Sequence, residues 1–185
     1  FFERFARKYG EQPNIIYEIY NEPLADTDWH TVIKPYAQKL IGAIRAIDPD
    51  NLIIVGTQTW SQDVDKAADD PITGYSNIAY TLHFYAGTHK AELRKKAQYA
   101  LDKGIALMVT EWGTVNANGD GAVDRASTEQ WVAFMKRNQL SHANWALNDK
   151  KEGASMLKSR AAADGFWSDD DLTESGSFVK SIVKG

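Results

Sequence analysis

The 185-residue sequence contains no cysteine. That excludes a disulfide framework and any thiolate metal site, and it leaves the redox compartment open. No apolar run approaches the length of a membrane span, and no signal peptide opens the chain. Charge of one sign is scarce as well: the net charge is −4 with acids and bases interspersed, which argues against a polyanionic partner such as nucleic acid. Low-complexity tracts and short-period repeats are missing. What is present is a hydrophobic content of 43%, enough to bury a substantial core as one domain over 1–185.

The hydrophobic pattern alternates between two periods. Strand-like runs occur at Ile15 to Tyr20, Leu52 to Gly56, Ile78 to Leu82, Ile105 to Thr110 and Ala143 to Leu147. Between them, Ile33, Tyr36, Leu40, Ile44 and Ile47 mark a helix that Pro49 ends. A second helix runs from His89 to Lys103 with Leu93, Ala97, Ala100 and Leu101 on one face, before Gly104. A third is expected to start at a Ser127-Thr128-Glu129-Gln130 capping box and to bury Trp131, Phe134 and Met135. Strands alternating with helices of this length require parallel pairing and right-handed crossovers, so the fold class is α/β with five βα units. Phe1 to Gly10 has helical spacing and a glycine suited to a C′ stop but no start signal, and it reads as the last turns of a longer helix. The N-terminus is accordingly expected to be cut. Two polar loops remain, Asn116 to Gly121 and Asn148 to Ser168.

In parallel α/β folds the chemistry collects at the carboxyl ends of the strands. Here the first strand delivers Asn21 and Glu22, the second Gln58 and Trp60, the third His83 and Tyr85, the fourth Glu111 and Trp112, and the fifth Trp145 and Asn148. Two carboxylic acids at strand tips are the minimum equipment for breaking a glycosidic bond, one protonating the leaving oxygen while the other attacks or shields the oxocarbenium centre. Amides and indoles beside them suit sugars, whose C–H faces stack on aromatic rings. Taken alone, Glu22 reads as a helix N-terminal acid beside a proline and Glu111 as a cap on backbone amides. Together with the aromatics the pair reads as catalytic. His83 and Tyr85 share one strand face and are expected to form a network. His30, His89 and His142 lack ligand spacing and read as structural or surface groups. Trp29, Trp131 and Trp167 read as core or rim, and Lys150 with Glu152 as a solvated charge run.

Tyr17-Glu18-Ile19-Tyr20-Asn21-Glu22-Pro23, Gly56-Thr57-Gln58-Thr59-Trp60-Ser61-Gln62-Asp63, His83-Phe84-Tyr85-Ala86-Gly87-Thr88-His89 and Val109-Thr110-Glu111-Trp112-Gly113 closely resemble the bacterial endoglucanases of glycoside hydrolase family 5. The resemblance implies a (β/α)₈ TIM barrel, of which this chain supplies about strands 4 to 8, and a retaining two-glutamate mechanism. It also implies Glu22 as general acid/base and Glu111 as nucleophile, acting on internal β-1,4-glucosidic bonds of a β-glucan. Asn21 is then expected to bind the 2-hydroxyl of the cleaved sugar, and His83 and Tyr85 to hold Glu111 charged and oriented. Trp145 would stack under the subsite before the cleavage point and Trp60 would line the leaving-group side. Lys150 and Glu152 would contact the next sugar out, which replaces the solvated-run reading. The mechanism needs no metal or organic cofactor, and the family implies a secreted protein.

The sequence departs from the family in one respect. A complete barrel needs eight strands and about 250 residues, whereas five strands are legible. The first three, with the active-site arginine and histidine that the family carries on its second and third strands, have no counterpart here. The expectation is a fragment of a longer enzyme or a half-barrel that must find its N-terminal partner. Two other readings stay open: a mannan- or xyloglucan-cleaving member of the same family, or a non-catalytic sugar-binding half-barrel.

Overall fold

The computed structural model describes residues 1–184. They fall into two compact units, one formed by residues Phe1–Leu82 and Lys95–Met108, the other by His83–Arg94 and Val109 onward. The boundary cuts through two strands, so each unit holds part of the strand ladder.

In the first unit, helix α1 (Phe2–Tyr9) leads to strand β1 (Ile16–Glu18), helix α2 (Lys34–Arg45) and strand β2 (Leu52–Val55). Helix α3 (Val64–Asp69) and the start of strand β3 (Ile78–Tyr85) follow. β1 lies parallel to β2 with Ile16 opposite Leu52, and β2 lies parallel to β3 with Ile53 opposite Ile78. Tyr80 N–H donates to Ala106 C=O at 2.8 Å, which extends the pairing to the segment entering strand β4 (Leu107–Gly113). The sheet thus keeps chain order, as short right-handed βα connections require.

Helix α2 begins after a wide turn, Trp29–Ile33, whose first orphan amides are met by Asp28: its Oδ1 accepts from Thr31 N–H at 2.8 Å. The helix buries Ile33, Ala37, Ile41 and Ile44 rather than the expected stripe through Tyr36 and Leu40. Tyr36 is 41% exposed, and its hydroxyl donates to Ile19 C=O at 3.0 Å. The helix also stops at Arg45, before Ile47. Asp48 sits just beyond it, buried, and accepts from the Tyr17 hydroxyl at 2.6 Å and from Asn51 Nδ2 at 2.8 Å. Asn51 Nδ2 in turn donates to Gly10 C=O at 2.8 Å. One buried carboxylate therefore joins the ends of α1 and α2 to the starts of β1 and β2. Gly10 is not the left-handed stop expected from sequence; its φ is −61°. A Cβ there would lie 3.0 Å from the Asp48 Cβ, so close packing is what demands glycine.

The second unit contains the end of β3, the main part of β4, helix α5 (Arg125–Arg137), strand β5 (His142–Asn144) and helix α6 (Glu174–Lys184). Helix α4 (Ala91–Asp102) starts in this unit and ends in the first. Within the second unit Ala86 N–H donates to Gly113 C=O at 2.8 Å, and β4 lies parallel to β5 with Val109 opposite His142. Phe84 is the centre of the core: its ring stacks on Trp131 with centroids 3.9 Å apart and on Trp112 at 5.8 Å, and all three are buried.

Helix α5 starts three residues earlier than expected. Asp124, not Ser127, is its N-cap, accepting from Ser127 N–H at 2.9 Å; a carboxylate three residues upstream takes the amide that a serine-led box would have left to Gln130. β5 ends at Asn144 instead of continuing to Leu147, because Ala146 C=O turns to accept from Asn148 N–H at 2.9 Å and Met156 N–H at 3.1 Å. The loop that follows is closed at its base by an antiparallel bridge between Leu157 and Leu172. Among the described residues no helix is long and apolar enough to cross a membrane.

Candidate active site

Glu111 belongs to β4, where successive side chains point to opposite faces. Its neighbour Trp112 goes into the core against Phe84 and is fully buried, so Trp112 does not line a cleft as the sequence suggested. The Glu111 carboxylate is half-buried, and its Oε1 accepts a hydrogen bond from the Tyr85 hydroxyl at 2.7 Å. Gly113 makes this possible. A Cβ at that position would lie 2.4 Å from Tyr85 Cδ1, so the phenol lies flat over bare backbone on its way to the acid. Val115, Ala154 and Val123 pack against the rest of the ring.

His83 is buried, with Nε2 at 2.9 Å from Thr110 Oγ1 and Nδ1 at 3.9 Å from Glu111 Oε2. The first distance is a hydrogen bond and the second is too long for one. Thr110 therefore fixes the ring, and Glu111 meets His83 only across that longer gap. Further along, Trp145 follows β5 with its backbone N–H on Trp112 C=O at 2.9 Å, leaving the indole 44% exposed. Lys150 Nζ lies 3.9 Å from Glu152 Oε1, the lysine exposed and the glutamate half-buried. Asn148, assigned to the same tip, is a brace: its Oδ1 accepts from Ser155 Oγ at 2.5 Å.

In the first unit Asn21-Glu22-Pro23 follows β1, with Asn21 exposed, Glu22 half-buried and Pro23 buried. The residues on either side of Glu22 are held through their carbonyls. Asn21 C=O accepts from Ser61 Oγ at 2.7 Å, and Pro23 C=O accepts from Trp60 N–H at 2.8 Å. Gly56 lets the two segments approach, since a Cβ there would be 2.0 Å from Tyr20 O. Trp60 is 44% exposed. Gln58 is buried and structural, donating from Nε2 to Ala25 C=O at 2.6 Å, which removes it from the set of cleft amides.

Three supporting residues were not anticipated: Thr110 behind His83, Ser61 behind Asn21, and Gly113 beneath Tyr85. All lie inside the four motifs, but no periodicity distinguishes a hydroxyl that braces a neighbour from one that faces water.

Comparison with known proteins gives the family. Residues 1–151 match the family model described as cellulase, glycosyl hydrolase family 5. Endoglucanase Z of Dickeya dadantii is 61% identical over 184 residues, which is all of this chain and 41% of that protein. A solved structure from Cytophaga hutchinsonii superposes with a TM-score of 0.97 at 51% identity, over 99% of this chain and 60% of that one. The structure named cellulase Cel5C_n does so with a TM-score of 0.91 at 42% identity, covering 100% of this chain and 56% of that chain. The chain thus spans about two fifths of the length of Endoglucanase Z and somewhat under two thirds of the two solved structures, and its five parallel βα units agree with strands 4 to 8 of the expected TIM barrel. With the family model covering most of the sequence, the chain belongs to glycosyl hydrolase family 5, the cellulase family.

Proposed function

We propose that the protein carrying this chain is an endo-β-1,4-glucanase that hydrolyses internal bonds of cellulose or a soluble β-glucan with retention of configuration. The observation that carries this reading is the hydrogen bond from Tyr85 to Glu111. A phenol donating to one carboxylate oxygen orients the group and fixes which oxygen is left to react. That is what a nucleophile needs.

In the first step Glu111 attacks the anomeric carbon while Glu22, as the acid, gives its proton to the glycosidic oxygen; the C–O bond breaks and a glycosyl ester forms. In the second, Glu22 takes a proton from water, which attacks the same carbon and releases Glu111. Asn21 is the partner for the 2-hydroxyl, whose hydrogen bond strengthens in the transition state. Trp145 stacks under the sugar before the cleavage point, Trp60 lines the leaving-group side, and Lys150 with Glu152 reaches the next sugar out. The exposed indole faces of Trp145 and Trp60 support these assignments. A polymeric substrate lies outside the cell, so the enzyme works as a secreted protein. The activity is proposed for the intact protein, since the family's arginine and histidine on other strands have no counterpart among these residues.

The test is the product formed in the presence of azide. Glu22→Ala should yield a β-glycosyl azide, because azide intercepts the ester. Glu111→Ala should yield the α-anomer by direct displacement. The reversed pairing would exchange the two roles, and equal mixtures from both would end the double-displacement reading.

A further inference from the structure

Thr59, Trp60 and Ser61 all have positive φ, at 59°, 54° and 58°. Three consecutive residues with side chains enter this region only when their surroundings impose it, and Thr59 is β-branched, the costliest kind there. Such backbone persists where something over-determines it, which is most often at a functional site. Nothing in the turn is glycine or asparagine.

The surroundings here converge on Asp63. Its side chain is buried and accepts from Thr59 Oγ1 at 2.8 Å, from Lys96 Nζ at 2.6 Å, and from Lys66 Nζ at 3.0 Å. Burial alone would raise the carboxyl's pKa, but the hydrogen bonds from Lys96, Lys66 and Thr59 outweigh it and hold the group below its ordinary value. It is a carboxylate paired with two lysines at the foot of a strained turn. Lys66 also donates to Gln58 Oε1 at 3.0 Å, and Gln58 Nε2 reaches Ala25 C=O. Three bonds from this segment go to one place: Ser61 Oγ to Asn21 C=O, Trp60 N–H to Pro23 C=O, and Gln58 Nε2 to Ala25 C=O. These three carbonyls bracket Glu22.

We propose that Asp63 is a positioning residue for the reaction: through Thr59 it locks the left-handed turn 59–61, which sets the Trp60 indole and clamps the backbone on both sides of Glu22. The inference rests on the reading of Glu22 as acid/base and of Trp60 as the leaving-group wall. Asp63 is not assigned any contact with substrate. It specifies where the proton donor sits and where the departing sugar is received, so its effect depends on what is leaving.

The experiment compares kcat/KM, which reports the steps up to the glycosyl ester, on two substrates of active enzyme carrying this sequence. Cellotetraose has a poor leaving group that needs both protonation and a sugar site. Dinitrophenyl β-cellobioside needs neither. Asp63→Asn should lower kcat/KM on cellotetraose by roughly 10- to 100-fold, the scale of a displaced catalytic group, and leave the aryl substrate nearly unchanged. Thr59→Ala should show the same split and Thr59→Ser should restore it, which keeps the test usable if Asp63→Asn folds poorly. Equal losses on both substrates would make Asp63 and Thr59 merely structural and overturn the proposal. Glu22→Gln measured alongside separates the two levels. If it splits the substrates and the Asp63 and Thr59 variants do not, only this inference fails; if it does not split them, the acid/base reading fails and takes the inference with it.

Discussion

The two glutamates are held in opposite ways. Glu111 lies within a seven-residue strand, and its carboxylate itself takes a hydrogen bond from Tyr85. Glu22 lies beyond a three-residue strand, on a loop whose fixed points are the carbonyls of Asn21 and Pro23. The tyrosine bond acts on the Glu111 carboxylate directly, and the two carbonyl bonds act on the backbone that carries Glu22. The difference matches the proposed duties: a nucleophile must stay ionised in one orientation, while an acid/base must gain and lose a proton without moving. It also means that the two should fail differently.

The most severe way to break the comparison is to delete each acid. Glu111→Ala should lower kcat by on the order of 10⁵-fold on every substrate, the scale seen when a covalent nucleophile is removed. Glu22→Ala should approach that on cellulose yet spare kcat/KM on activated aryl cellobiosides; steady-state kinetics on both substrates checks the contrast. Next comes Tyr85→Phe, which removes a donor aimed at the charged carboxylate and should cost about 10²-fold in kcat. Unlike damage around Asp63, this loss should appear equally with good and poor leaving groups, because attack by Glu111 is needed for both. Dependence on the leaving group would show that Tyr85 serves the acid instead. Trp145→Ala should act more mildly, raising KM for cellotetraose roughly tenfold by loss of a stacking face, with thermal unfolding unchanged. A lowered melting temperature with normal KM would return Trp145 to the core.

The smallest effect should fall outside the site. Tyr17→Phe removes the hydroxyl that Asp48 accepts from and should cost about 1–3 kcal/mol of stability, with kcat untouched, as measured by denaturant unfolding. Burial raises the Asp48 carboxyl's pKa, but the hydrogen bonds from Tyr17, Asn51 and Asp50 outweigh it and leave it below its ordinary value in the folded chain. Its contribution is therefore present above about pH 4, the unfolded value, and is lost as pH falls through the lower folded value. Tyr17→Phe should weaken that acid-side dependence.

Much of this arrangement was legible in the sequence because it rests on local pattern. The runs before Asn21, His83 and Glu111 are strands in the structure, and β3 alternates as expected, with Phe84 entering the core between His83 and Tyr85. The errors have physical causes. Trp112 reads as a cleft residue from its place at a strand tip, but the pleat sends it to the face opposite Glu111. Ser127 reads as the cap because Asp124 three positions earlier gives no pattern of its own. Leu147 was placed in a strand because an apolar run does not show that Ala146 C=O will turn back to Asn148 and Met156. The brace formed by Asp63, Thr59 and Ser61 was invisible for a deeper reason: a left-handed turn without glycine is created by its tertiary partners, and no propensity encodes it.

The unequal exposure of the tryptophans gives the chain built-in optics. Trp29, Trp112 and Trp131 are buried, whereas Trp60, Trp145 and Trp167 are 44%, 44% and 38% exposed. A soluble collisional quencher should dim the emission of the second group and leave the first glowing. Under the proposed subsite assignment, cello-oligosaccharide added to the quenched intact protein should recover light only where a ring is covered, at Trp60 and Trp145 but not at Trp167. Each exposed indole thus reports its own coverage without a label, and the residual unquenched light tracks how much of the population is still folded.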